Sequence, residues 1–489
     1  MIRRFAMPDT RNITLVTLGL ALGIGIGVAS ALVSPVLVAA GLAALGIAAL
    51  FARSVRGMLA AVVAAATLLP FGTLPFKIGI TPTFLELALL GLYGMLVLRG
   101  LMNGDQPIRW SGLAPFVILL GGFSFFSFML GWWGAPDPLT AHNYFKLVLG
   151  VVLFFGILNA VRTAAEINWL LRTLIIAGTL AALLGIGLRF APDPLAQRAL
   201  TSLAPIGYPE SGRVLRYVED DSAGFERAIG TSVDPNSFGG LMALLGALTL
   251  AQALATQPVL PRKILWIAVG CMAVATYLTQ SRAALGGFVV AGVFLATVRY
   301  RRLWWGIAAG GLAGVIVIVG LGKGGAFVER IVEGIQFKDQ ANLMRLAEFQ
   351  NALAIIREYP VFGVGFGSAP SIDLTTGVSS IYLTIGSRMG LVGLAVYVVT
   401  SLAFFGFTTA AMRRSSRTTS DTILGTQAAI LAALAVGLLD HYFFNIEFSH
   451  MVALFWLVVG LGMALTQQNI DPEASVTNEP FLFSTHTTK

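Results

Sequence analysis

Charged residues are scarce in this chain. Asp, Glu, Lys and Arg make up 11% of its 489 residues, against about 25% in a typical soluble domain. With 56% of the residues hydrophobic, there is too little polar surface to wrap a water-soluble core, and a soluble catalytic domain is excluded. Cysteine is almost missing. The only one, Cys271, lies inside an apolar run, so neither an intramolecular disulfide nor a cysteine metal cluster can form. The chain carries no Walker phosphate loop, no HExxH pair, no Asp-rich metal motif and no nucleophile elbow. No metal and no cofactor are expected. A cleaved secretory signal is not expected either, because residues 13–33 exceed the 7–15 apolar residues of a signal core.

What is present is hydrophobic length. A helix needs about 20 apolar residues to cross the hydrocarbon. Fourteen runs qualify as candidates: 13–33, 36–52, 57–72, 82–98, 112–133, 143–161, 167–188, 236–255, 264–280, 283–298, 303–321, 380–409, 422–440 and 443–466. The expected fold is an all-α polytopic membrane protein with about 12–14 transmembrane helices. Its 55 glycines suit close helix approach inside a membrane.

The charges orient these spans. With a cytoplasmic N-terminus and alternating spans, the inside segments hold 17 of the 32 Lys and Arg residues, whereas the short outside loops hold only Lys77 and Arg282. Lysine and arginine favour the cytoplasmic side of short loops, so both termini are expected inside. The net charge of +8 largely reflects this bias and points to no nucleic acid. The organisation expected is N-terminal spans over 1–188, a first external loop over 189–235, spans over 236–321, a second external loop over 322–379, C-terminal spans over 380–466, and a polar cytoplasmic tail over 467–489. Both external loops carry arginines that the charge rule tolerates in long loops but does not explain.

Four stretches could carry chemistry. In Arg227-Ala-Ile-Gly-Thr-Ser-Val-Asp-Pro-Asn-Ser-Phe238, Asp234 and Pro235 read as the N-cap and first residue of a span. Arg227 and that helix N-terminus could together hold an anion, with Asn236 and Arg216 nearby in the chain. Ser281-Arg282 sits in a tight turn between two spans. Arg282 either snorkels to the interface or binds a ligand. In 341–358, Leu346, Phe349, Leu353 and Ile356 follow helical spacing and predict an amphipathic helix that could lie on the bilayer. Arg345 and Glu348 share a face of it, as a solvated ion pair or as site residues. Pro360 ends that helix, and Gly363, Gly365 and Gly367 read as a turn feeding the next span. Asp440 and His441 close the thirteenth run. His142 and His450 read as packing histidines.

Taken in order, these stretches resemble one family. Arg227 to Phe238, Ser281-Arg282, Arg345 through Pro360 to Gly367, and Gly390-Leu391 with Gly393-Leu394 are similar to the ordered motifs of the O-antigen ligase and O-antigen polymerase superfamily. The likeness covers about 225–466. It implies a GT-C-like membrane glycosyltransferase, independent of metal. Such an enzyme would move a glycan from undecaprenyl pyrophosphate to an acceptor hydroxyl at the outer face of the bacterial inner membrane. Arg227, Arg282 and Arg345 would then stabilise the leaving pyrophosphate, since guanidinium groups match phosphate bidentately. Glu348, His441 and Asp440 are the candidates for a base. Arg216, Asp234, Asn236, Ser281, Tyr382 and Asp440 are expected to line the substrate site, and a chain-length regulator and a flippase are expected partners.

One departure bears on the reaction. The ligases place a histidine just after the glycine-rich turn, where this chain reads Ser379-Ser380-Ile381-Tyr382. That favours a polymerase of lipid-linked repeat units, with a ligase acting on lipid A core as the alternative. A flippase or other transporter is the alternative of another class, supported by Lys146, Arg172 and Arg388 within or near spans.

Overall fold

The computed structural model describes residues 46, 49–75, 80–102, 107–132, 137–218, 221–222, 224–320, 340–367 and 378–468. The run at 13–33, most of the run at 36–52 and the tail after 468 lie outside the described residues. The chain divides into two compact units, Met1–Met58 and Leu59–Lys489. The second holds everything discussed below.

The twelve remaining runs are all helical. The helices are α1 (Val55–Leu68), α2 (Phe84–Met102), α3 (Ala114–Leu130), α4 (Pro138–Ala160), α5 (Ala164–Phe190), α6 (Asp193–Thr201), α7 (Pro235–Leu254), α8 (Arg262–Leu278), α9 (Arg282–Val298), α10 (Leu303–Gly320), α11 (Gln340–Glu358), α12 (Ile381–Met412), α13 (Arg417–Val436) and α14 (Ser449–Gln467). Seven of them, α2, α4, α5, α7, α12, α13 and α14, are long and apolar enough to cross a membrane. This is an all-α polytopic membrane protein. Among the described residues its only sheet is a hairpin of β1 (Arg216–Tyr217) and β2 (Glu226–Arg227), in which Arg216 is paired with Arg227.

The bundle is built around α7 and α14, whose residues are nearly all buried. α7 packs on α8, α9 and α13, and α14 packs on α4 and α13. A helix apolar all round belongs in such a centre. α5 and α12 instead show lipid-facing leucines and phenylalanines, such as Leu180 and Leu402.

Capping chemistry fixes the start of several helices. Asp234 accepts from the Ser237 amide, with Pro235 in the first turn, as the sequence predicts. Ser281 caps α9 through the Ala284 amide. Thr163 and Glu166 form a reciprocal capping box at α5.

Two expectations need correction. First, α13 ends at Val436, so Asp440 and His441 belong to a connector rather than to a span. Second, the run 380–409 is not one straight helix. It breaks at Gly390, whose φ is 69°, and the glycine-rich stretch is more than a turn. The Val364 and Gly365 amides donate to the Ser387 and Arg388 carbonyls at 3.0 and 2.9 Å, and the Leu391 amide donates to Pro360 O at 2.7 Å. The loop thus supplies partners to the backbone that the break sets free, as lipid demands. A side chain at Gly390 would collide with the Val361 carbonyl, and one at Gly365 with the Gly131 backbone. The apolar positions of α11 face two ways. Ala352 and Ile355 are buried, whereas Leu346 and Leu353 are exposed.

Candidate active site

The site is assembled from four segments that meet around Asp440. Residues 227–228 dock on the last turn of α8, where helical carbonyls lack intrahelical partners. The Ala228 amide donates to Leu278 O at 2.9 Å, and Arg227 Nε donates to Thr279 O at 2.7 Å. The guanidinium continues to Asn236, donating from Nη2 to Oδ1 at 2.6 Å. Asn236 is held in turn by its place in the first turn of α7. Burial works against the charge of Arg227, while Asp234, Tyr442 and Asp440 favour it and Arg345 opposes it. These five groups therefore share one electrostatic neighbourhood.

Arg345 arrives from α11, and its Nη2 lies 3.5 Å from Asp440 Oδ1. Asp440 is 2% exposed. Ser281, the N-cap of α9, hydrogen-bonds its carboxyl, but Oδ2 has no partner. Burial pushes the carboxyl up to about 7, against the opposing pull of Arg345 and Arg227. An acid with one idle oxygen and a proton affinity near neutrality is suited to proton transfer.

His441 adjoins it. Its ring hydrogen-bonds the Val378 backbone, and burial lowers it to about 4, so it is neutral near pH 7. Its Nδ1 has no partner. Val378 directly precedes the Ser379–Tyr382 stretch where the family pattern calls for histidine. A histidine therefore does reach that point, delivered by a different segment.

The remaining expected residues divide. Arg216 donates from Nε to Val233 O at 3.3 Å and props the turn before Asp234. Glu348 is tied up: its Oε2 accepts from the Ser379 amide at 2.9 Å, which makes it an anchor between α11 and the start of α12 rather than a free base. Tyr382 leaves the cluster, its hydroxyl donating to Leu434 O at 3.0 Å. Arg282 is exposed at the start of α9, next to the buried Ser281.

Tyr442 was not expected. Its hydroxyl hydrogen-bonds both Asp234 and Asn236, and it is buried. It links the α7 cap to the amide that receives Arg227. The signal available was its place beside Asp440-His441. It stands at the head of an aromatic run, Tyr442-Phe443-Phe444, that reads as core.

Backbone strain marks the same place. Val233 (φ 60°) and Gln280 (φ 54°) are the non-glycine residues with positive φ among the described residues, and each directly precedes an N-cap of this site, Asp234 or Ser281. For a β-branched valine this is a true outlier, costing on the order of 1–3 kcal/mol. The N-termini of α7 and α9 are thereby aimed into the cluster, where their dipoles favour an anion. Among the described residues no group of three or more His, Cys, Asp or Glu is placed to hold a metal.

The O-antigen ligase family model matches residues 267–398, a little over a quarter of the chain. The match takes in Ser281, Arg282, Arg345, Glu348 and the glycine-rich loop, and leaves Arg227, Asp234 and Asp440 outside. It supports the O-antigen ligase superfamily resemblance and a function of the ligase or polymerase type. No curated protein matches the chain.

Proposed function

We propose that this protein, matching the O-antigen ligase family over 267–398, is a membrane glycosyltransferase that joins lipid-linked repeat units into a longer polysaccharide. The observation that carries this reading is the convergence of Arg227 and Arg345 beside Asp440 and the N-termini of α7 and α9. The donor is an undecaprenyl pyrophosphate glycan. The charge distribution along the chain supports a site on the outer face of the inner membrane.

In the reaction, an acceptor hydroxyl oxygen attacks the anomeric carbon of the donor sugar. A new C–O bond forms, and the bond to pyrophosphate breaks with its electron pair leaving on phosphate. Arg227 and Arg345 stabilise the charge that grows there, a task a metal performs elsewhere. The hydroxyl proton passes to a base. Asp440 Oδ2 suits this best, because it is unpartnered and close to half ionised at neutral pH. Glu348, held by Ser379, is the weakest of the three candidates.

A ligase is the second reading, and one contact favours it. His441 at Val378 occupies the neighbourhood in which the ligases keep a histidine, so the sequence departure at 379–382 discriminates less than its letters suggest. The acceptor decides. Purified protein in proteoliposomes is supplied with lipid-linked repeat units, with and without lipid A core. Lengthened lipid-linked glycans support the polymerase, and glycan appearing only on the core supports the ligase. If neither forms and the lipid-linked unit only changes leaflet, the protein is a transporter and the proposal fails.

A further inference from the structure

The first half of α11 is built inside out for a helix surrounded by water. Toward the protein it turns Arg345 and Glu348, which engage Asp440 and the Ser379 amide. Away from the protein α11 turns Leu343, Met344, Leu346 and, in its second half, Leu353, which are 53, 57, 36 and 44% exposed, with Gln350 as the exposed polar residue among them. A helix in water buries its apolar side and solvates its charges. Placing four large apolar side chains outward while two charges face in loses hydrophobic stabilisation unless something apolar covers the outer side.

The occupant is indicated by what adjoins it. Beyond Pro360 the exposed surface continues through Val361 and Phe362. Phe362 meets Phe126 of α3 edge-on at 5.1 Å, and Leu391 of α12 is exposed as well. Helices α3 and α12 are apolar elements of the bundle, and their exposed side chains are those that face lipid. α11 packs on α12, so its outer face lies beside that surface. Between the two, its last turn exposes Arg357 and Glu358, charges that a helix at the edge of the apolar layer keeps at the headgroup level.

We infer that α11 is immersed along its outer face in the bilayer, with acyl chains against Leu343, Met344, Leu346 and Leu353. Arg345 then stands one helix diameter from lipid, at a depth that a lipid-tethered group reaches without leaving the membrane. This placement holds whether or not the protein transfers glycans, so its test is independent of that reading.

The test is a depth measurement on the full chain. Cys271→Ser removes the one native thiol, and spin labels are attached to Leu343→Cys, Leu346→Cys, Leu353→Cys and, as a reference, Arg357→Cys. The protein is placed in vesicles of phosphatidylethanolamine and phosphatidylglycerol. Power saturation then compares oxygen, which concentrates in lipid, with a water-soluble nickel chelate. Oxygen is expected to win severalfold at 343, 346 and 353, and the order should reverse at 357. Nickel dominance at the three apolar positions overturns the inference, because the face is then wet. Low accessibility to both probes overturns it equally, because a protein surface then covers the helix. Three independent labels keep the test decisive if one variant fails to fold.

Discussion

Two buried aspartates, each beside arginine, make opposite use of that pairing. Asp421 of α13 is 0% exposed and saturated. It accepts from the Thr256 amide and hydroxyl at 2.8 Å each and from Arg299 at 2.7 Å, with Arg417 at 3.4 Å. Asp440 is as deeply buried, yet it keeps one loose ion pair at 3.5 Å and an idle oxygen. The first arrangement closes every valence and ties α9 and α13 to the end of α7. The second leaves a charged group short of partners, as a site awaiting a ligand does. Two clusters with the same residue types therefore differ in task because they differ in satisfaction.

The largest expected effect lies on the saturated side. Asp421→Ala strands the mostly buried Arg299 and should cost about 3–5 kcal/mol of stability, with unchanged activity per folded molecule. Thermal unfolding of the purified protein measures it. A loss no greater than that of Asp440→Ala would erase the contrast.

Next come the site arginines. Arg227→Ala and Arg345→Ala should each lower transfer by about 10²–10³-fold while the protein still inserts. Lysine should rescue poorly, since it lacks the planar fork. Arg282→Ala should cost less, as that side chain is exposed. The readout is product formed per inserted molecule, and normal activity in both Arg227→Ala and Arg345→Ala would end the anion-site reading.

Asp440 makes a pH prediction. Its folded value of about 7 stands above the ordinary 3.8. The folded state therefore holds the proton more tightly than the unfolded chain. Its contribution favours folding at acid pH and is withdrawn as pH rises from about 4 to about 7, by up to about 4 kcal/mol. Activity should move the other way, rising through pH 7 as the base ionises. Asp440→Asn should flatten both profiles and remove most activity. His441, lowered to about 4, should add no limb near neutrality, which a pH–rate profile of His441→Gln checks.

Smaller again is Tyr442→Phe. It keeps the ring contact with Phe448 at 4.5 Å but frees Asp234 and Asn236. A loss of about tenfold, or about 1.4 kcal/mol, is expected, and it should shrink in the Arg227→Lys background because the phenol acts through that arginine. Chelation with EDTA should have the least effect, namely none, because guanidinium groups carry the charge. Loss of activity restored by Mg²⁺ would contradict this.

Much of this was legible in the sequence. The twelve apolar runs, the Asp234 cap and the arginine-bearing stretches all follow local rules of length, spacing and capping. What escaped was non-local. Tyr442 looks like core aromatic until α7 is brought beside it. Glu348 looks like a base until the Ser379 amide is placed on it. The two-sidedness of α11, with Ala352 and Ile355 buried but Leu346 and Leu353 exposed, was not readable because helical spacing reports a face but not its neighbour. The break at Gly390 was hidden because a glycine inside an apolar run is ordinary among membrane helices.

That break bears on biosynthesis. The amides and carbonyls exposed around Gly390 find partners in residues 360–365, and the Arg388 carbonyl also accepts from the Ser127 hydroxyl at 2.6 Å. Both partners precede α12 in the chain, so they leave the ribosome first. When α12 enters the bilayer, the groups that complete it are already made and waiting. A circular permutant that places α12 ahead of residues 360–367 would have to insert a span with unpaired backbone, and insertion rather than catalysis would be the step that fails.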